Sequence, residues 1–305
     1  MPKIAASRTR QRGAVSISHA PALNPMHSSG FLRRLFAKRS ARPGEQFGAP
    51  GQGRAGGIAT ATVVVTLALW FLVTNLGWVK PLFLPSPQAV LAKLVQVSTE
   101  GFAGATLLEH TLTSLSRVFG AFTLACLTAI PIGVLMGVSR VARGIFDPLI
   151  EFYRPLPPLS YLPLIIIWFG IDELPKVLLI YLSCFAPLAL AARSGMKGAS
   201  QEQINAAYSM GASYAQVIRH VILPSALPEI LVGMRIAIGF GWTTLVAAEM
   251  VAANVGLGQM VLNASNFLRT DIVIMGIVVI GAVAYLFDLL MRWVERRLVP
   301  WKGRV

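Results

Sequence analysis

The sequence predicts an all-α integral membrane protein with about six spanning helices, and three observations carry that reading. The chain has 305 residues, 55% hydrophobic and only 13% charged, where a soluble domain carries about 25% charged residues. Several uncharged stretches reach the ~20 predominantly apolar residues needed to cross a hydrocarbon core. The basic residues behind the net charge of +14 gather at both termini and in alternate connections. Inserted spans must be helices, because lipid offers no partner to an unpaired backbone N–H or C=O.

Taken in order, residues 1–56 are polar and rich in Gly, Pro and Ser, with Arg33, Arg34, Lys38 and Arg39 among many cations and Glu45 as the single acid. Such a composition predicts a solvated, disordered basic tail, and its apolar region starts too late for a cleaved signal peptide. A first span is expected at about 58–76, with Trp78 at an interface position. Prolines in "PLFLPSPQ" forbid a continuous helix there, and from Gln88 the chain is expected to lie along the membrane surface, closing a unit of residues 57–110. The core unit, 111–293, holds a second span at about 111–138 with Arg117 as its only charge. A third runs at about 145–171, interrupted by Pro155, Pro157, Pro158 and Pro163, and a fourth at 177–192. The fifth and sixth lie at about 227–250 and 272–293, and residues 294–305 form a basic end.

Six spans put both termini on one side. The tail, Arg140 and Arg143, then Arg193, Lys197 and Arg219, and finally Arg292, Arg296, Arg297, Lys302 and Arg304 all fall there; Lys80, Lys93, Lys176 and Arg269 fall opposite. Positive charge marks the cytoplasmic face, so both termini and the 197–226 segment are expected in the cytoplasm. That same distribution argues against nucleic acid as the partner of the positive charge. Cys126 and Cys184 sit in apolar stretches, so no disulfide is expected, and the histidines have no metal-ligand spacing. Neither a GxxxxGK[ST] loop nor a GxGxxG after a strand is present, so the chain is expected to bind no nucleotide or cofactor and to be no enzyme by itself.

One polar island interrupts the apolar core, "INAAYSMGASYAQVIRHVILPSALP" at 204–228. Ser200 with Gln203 makes a capping box. Ile204, Ala207, Tyr208, Gly211, Ala215, Ile218 and Ile222 then share one helical face, opposite Asn205, Ser209, Gln216, Arg219 and His220. Gly211 inside that stripe would cost about 1 kcal/mol against Ala, which a sharp bend or a close backbone approach would explain. Pro224 and Pro228 are expected to end the helix before the next span.

"AAYSMGASYAQVIRHVILP" resembles the cytoplasmic signature of the membrane subunits of binding-protein-dependent ABC importers. Ala206, Ala207, Gly211, Leu223 and Pro224 match by position, Val221 stands for an isoleucine and Asn205 replaces the leading glutamate. "PLFLPSPQAVLAKL", "LIEFYRPLPPLSYLPLIIIWFGI", "GFGWTTLVAAEMVAA" and "RRLVPWKG" extend the resemblance over about 78–302, towards the nitrate, sulfonate and taurine branch. It implies a type I importer permease that carries taurine or a related sulfonate across the bacterial inner membrane, with nitrate or aliphatic alkanesulfonates as the nearest other cargoes. It also implies two cytoplasmic ABC ATPase subunits that use the ATP, a periplasmic solute-binding protein, and a second copy of the chain. The segment 200–224 becomes the coupling helix that docks on the ATPase, through Asn205, Ala206, Ala207, Tyr208, Gly211, Ala215, Ile218, Val221, Leu223 and Pro224.

Ionisable groups in spans are costly and face a bundle interior, a cavity or one another. Arg117, Glu229, Arg235, Glu249 and Asp288 are such groups; Glu229, Glu249 and Asp288 are expected at interfaces, and Arg235 to pair within its helix or snorkel. For a zwitterionic sulfonate, Trp168, Arg235, Trp242, Thr243, Thr244 and Glu249 are the candidate pathway residues, with core packing the competing explanation of each aromatic. Gly133 and Gly137 have GxxxG spacing, which serves packing within one chain or a dimer seam. An ion-coupled secondary transporter is the alternative from another class; it would carry internal repeats with midplane acids, and neither stands out.

Overall fold

The structure, a computed structural model, describes residues 56–300. The expected basic tail and the last five residues therefore lie outside the described residues, Gly56 excepted. The chain divides into two units, residues 1–68 and 69–305. Helix α1 (Gly56–Asn75) begins in the first and ends in the second. It carries no charge and is apolar on every side, the pattern of a helix meant for lipid.

In the second unit five helices start where a short polar side chain accepts from a free N–H of the first turn. Ser86 caps α2 (Pro87–Thr99), with Pro87 in the first turn, where its missing N–H costs nothing. Thr106 and Glu109 form a capping box on α3 (Leu107–Val138). Ser139 caps α4 (Arg140–Tyr153). A 3₁₀ turn at Pro158–Ser160 leads to α5 (Leu162–Phe169) and then α6 (Glu173–Gly195). The polar island forms α7 (Gln201–Ser209) and α8 (Tyr214–Val217), and a π turn at Ile218–Ile222 passes directly into α9 (Leu223–Ala252). Helices α10 (Leu257–Asn266) and α11 (Thr270–Leu298) complete the unit.

Among the described residues five helices are long and apolar enough to cross a membrane: α1, α3, α6, the continuous helix Tyr214–Ala252, and α11. The expected third span is made in two pieces. Tyr214 Oη donates to the Val138 carbonyl (3.3 Å) at one end of the bundle, and Arg117 pairs with Glu173 and Glu249 at the other. The chain thus leaves α3 at the first end and starts α6 at the second, so α4, the 3₁₀ turn and α5 together make one traverse. Pro155, Pro157 and Pro158 supply no N–H there, and the chain turns at Ser160, whose N–H (2.9 Å) and hydroxyl (2.7 Å) both donate to the Pro157 carbonyl.

Helix α6 is the centre of the unit, packed on both α3 and α9. Small residues let the backbones approach. A Cβ on Gly133 would strike Ala189 and Ala192, one on Gly137 would strike Met196, and one on Gly233 would strike Ala191. Both glycines of the GxxxG pair are therefore spent on the α3–α6 contact inside the chain. Val118, Ala121, Ala125, Leu188, Ala189 and Ala237 fill the resulting core. A second core, with Val97, Leu107, Leu257, Met260, Ile272 and Met275, joins α2, the start of α3, α10 and α11. Large apolar side chains such as Leu112, Leu127, Ile277 and Leu286 face outward, as lipid requires.

Candidate functional site

The polar island folds as an elbow, not as one amphipathic helix. Ser200 and Gln203 make the expected capping box: the Ser200 hydroxyl accepts from the Gln203 N–H (3.2 Å), and Gln203 Oε1 accepts from the Ser200 N–H (3.0 Å). Helix α7 then ends at Ser209. The Ala212 N–H reaches back to the Ala207 carbonyl (3.1 Å) and the Gly211 N–H to that of Tyr208 (2.9 Å). This is a Schellman turn, which needs a left-handed residue at its corner, and Gly211 supplies it at φ +84°. A second capping box, Ser213 with Gln216, starts α8 at once.

Two expectations are corrected here. The continuous stripe from Ile204 to Ile222 does not exist, because Gly211 turns the chain between its halves; of the two explanations offered for that glycine, the sharp bend is the one realised. Nor do Pro224 and Pro228 stop the helix. The π turn closes with the Leu223 N–H on the Ile218 carbonyl, one residue further back than in an α-helix. That shift places Pro224 at the start of a new helical register, where no N–H is required, and the Ser225 hydroxyl donates to the Val221 carbonyl (2.7 Å). The product is one 39-residue helix, Tyr214–Ala252.

Of the ten residues expected to dock a partner, Asn205, Ala206, Tyr208, Gly211, Ala215, Leu223 and Pro224 are exposed, Ile218 and Val221 half-buried, and Ala207 buried beneath them. Sequence reasoning missed Met210, 83% exposed, and Tyr214, 58% exposed, which stand on either side of the elbow. The repeated Ser-x-x-Gln spacing was the available signal for a second helix start. Between the two arms lies a groove of about 410 Å³, lined by Gln203, Ala206, Met210, His220, Val221 and Pro224 among others.

The pathway candidates do not form one site. Trp168 is exposed on α5. Arg235 reaches across to α11, 3.9 Å from Asp288 and 3.7 Å from Glu295. Thr243 is exposed and bonds its own helix at Gly239, while Thr244 is buried. Trp242 packs on the main core, with its indole N–H buried and without a hydrogen-bond partner among the described residues, as is the hydroxyl of Tyr153.

Glu249 is fully buried within the bundle, three residues before the end of α9. Its carboxylate accepts from the Ser114 hydroxyl (2.7 Å), from Arg117 Nη1 (2.7 Å) and from the Gly258 N–H (2.9 Å). Arg117 Nη1 also donates to the Val255 carbonyl (2.7 Å). Through Nε (2.6 Å) and Nη2 (2.8 Å) it grips Glu173, which Lys176 Nζ also reaches (2.7 Å). Nearby His110 accepts from the Gly256 N–H (3.0 Å) at Nδ1, which leaves Nε2 to donate to the Phe102 carbonyl (2.9 Å). A buried charge is tolerated when it is paired and its remaining hydrogen-bonding sites are satisfied, and this cluster meets both conditions. Arg117 and Glu249 stood out in the sequence as charges inside spans. Their partners Glu173 and Lys176, at the start of the fourth span, did not.

Five helices able to span among the described residues, one of them continuous with an exposed helical elbow, define a multi-pass membrane protein. The chain belongs to the binding-protein-dependent transport system inner membrane components, a family that matches residues 129–300. It is 53% identical over 249 residues to the taurine transport system permease protein TauC of Escherichia coli, covering 81% of this chain and 90% of that protein. It is 34% identical over 239 residues to the putative aliphatic sulfonates transport permease protein SsuC of Bacillus subtilis, covering 78% of this chain and 85% of that one. A structure of the MetNI methionine ABC transporter in inward-facing conformations superposes with a TM-score of 0.55 at 19% identity, over 63% of this chain and 95% of the matched one, a likeness of fold alone.

Proposed function

We propose that the chain is the permease through which an ATP-driven importer passes taurine, or a closely related sulfonate, into the cell. The cargo reading is supported by the 53% identity to TauC over 90% of its length, against 34% to SsuC. The mechanical reading rests on one observation, the continuity of the elbow with α9. A Schellman turn and two capping boxes stiffen the elbow, and a helix of 39 residues carries its movement towards Glu249, about 53 Å from Tyr214 at 1.5 Å per residue. In this reading two ATPase subunits seat on α7 and α8 and hydrolyse the ATP, since this chain has no phosphate loop of its own. A second copy completes the passage, a solute-binding protein delivers cargo at the face opposite the elbow, and both termini lie in the cytoplasm.

Uptake of labelled taurine is the test, in a strain lacking its own taurine importer and complemented with this gene, the ATPase and the binding protein. Unlabelled taurine is expected to compete best. Stronger competition by ethanesulfonate would move the cargo to alkanesulfonates, and competition by nitrate alone would overturn the branch.

A further inference from the structure

Arg117, Glu173 and Lys176 divide the work of ion pairing unevenly. The two cations belong to the interior, with side chains 4% exposed, whereas the Glu173 side chain that joins them is 56% exposed. Three donors, Arg117 Nε and Nη2 and Lys176 Nζ, converge on its two oxygens at 2.6, 2.8 and 2.7 Å. The other edge of Arg117 is held independently by Glu249 and the Val255 carbonyl. If Glu173 left, the buried set would keep Arg117 and Lys176 against Glu249 alone, one unbalanced positive charge with its donors still in position.

We propose that this is an anion seat, and that the sulfonate group of the transported solute occupies it when the Glu173 arm swings out. The proposal rests on the sulfonate reading above and assigns that cargo its contact residues. A sulfonate carries the same single charge as the carboxylate it replaces, so the exchange keeps the buried set neutral, which an uncharged or cationic solute cannot do. Its three oxygens accept from both arms of the guanidinium fork and from the ammonium, the arrangement that makes arginine a strong receptor for oxyanions. The displaced Glu173 carboxylate is then available to the ammonium end of an aminoalkyl sulfonate. Because Glu173 stays tethered beside the seat, its effective concentration there is high, and its return expels the anion. The seat lies at the end of the bundle opposite the elbow, where the binding protein would deliver its cargo.

The permease–ATPase complex, purified without the binding protein, is dialysed against labelled ethanesulfonate, with ethylamine as the cationic control. Glu173→Gln is expected to bind ethanesulfonate at least tenfold more tightly than wild type and ethylamine no better. Adding Lys176→Gln is expected to remove most of that gain. A Glu173→Gln complex that binds no more tightly than wild type overturns the seat, as does a gain indifferent to Lys176→Gln. Should Glu173→Gln not accumulate, Glu173→Asp is measured instead. Its arm is one methylene shorter and holds the seat less well, so tighter ethanesulfonate binding than wild type is again expected, and its absence is again fatal. Wild-type taurine uptake separates the two claims. Ethanesulfonate binding in an importer that takes up no sulfonate supports the seat and overturns the cargo; normal taurine uptake by a Glu173→Gln importer without such binding does the reverse.

Discussion

Replacing Gly211 separates two physical accounts of the elbow. A Cβ at this position would have no atom within 4 Å, yet the backbone sits at φ +84°. A Cβ in the isolated permease therefore meets backbone strain and no clash. Left-handed backbone costs an L-residue about 1–2 kcal/mol, and asparagine less. Alanine and leucine should carry the same penalty, equivalent to about a 5–30-fold shift of the local opening equilibrium. Hydrogen exchange at the Ala212 amide, which bonds the Ala207 carbonyl across the turn, reads that shift directly. The expected order of exchange is Gly211 slowest, Gly211→Asn next, then Gly211→Ala and Gly211→Leu together. Binding to the ATPase is the second measurement. Gly211→Leu should weaken it beyond Gly211→Ala if the partner closes over the turn, because overpacking a tight contact costs about 1–3 kcal/mol more. Unchanged exchange in Gly211→Ala would refute the strain argument, and a leucine effect tenfold above alanine without the partner would reveal crowding inside the chain.

Two further substitutions test the interior. Glu249→Ala strands Ser114, Arg117 and the Gly258 N–H around a vacated carboxylate, and breaking such a buried pair is expected to remove about 3–5 kcal/mol of stability. Thermal unfolding of the purified complex checks this, and a loss below about 1 kcal/mol would mean that Glu173 alone satisfies the guanidinium. Trp242→Phe deletes a buried N–H that has no partner among the described residues, so the thermal midpoint should hold or rise, since an unsatisfied buried donor costs about 1–3 kcal/mol. The maximal uptake rate should hold as well, since the indole packs on the main core; a lower rate would place Trp242 in the passage.

The local grammar of this chain was legible residue by residue. Apolar stretches long enough to span, the clustered prolines that break the third traverse, and the Ser200–Gln203 helix start each depend on near neighbours in sequence, and the structure places all of them. The elbow was half legible. Its glycine demanded an explanation, but choosing between a turn and a close approach required the Schellman hydrogen bonds and the empty space around Gly211. Pro224 misled because the usual penalty for proline presumes an unbroken α register, and the π turn ahead of it removes that premise.

Composition and pattern by themselves determined that this is a helical membrane protein with one polar segment set between its apolar spans. A hydrocarbon solvent leaves a long uncharged segment no other backbone structure. Only the tertiary structure decided the fate of its buried charges. Arg117 and Glu249 lie 132 residues apart, and their pairing, with Glu173 and Lys176 closing the other edge, exists because α3, α6 and α9 pack on one another through glycine and alanine. The energy of an ion depends on what surrounds it in space, and neighbours in space are what a linear pattern does not record.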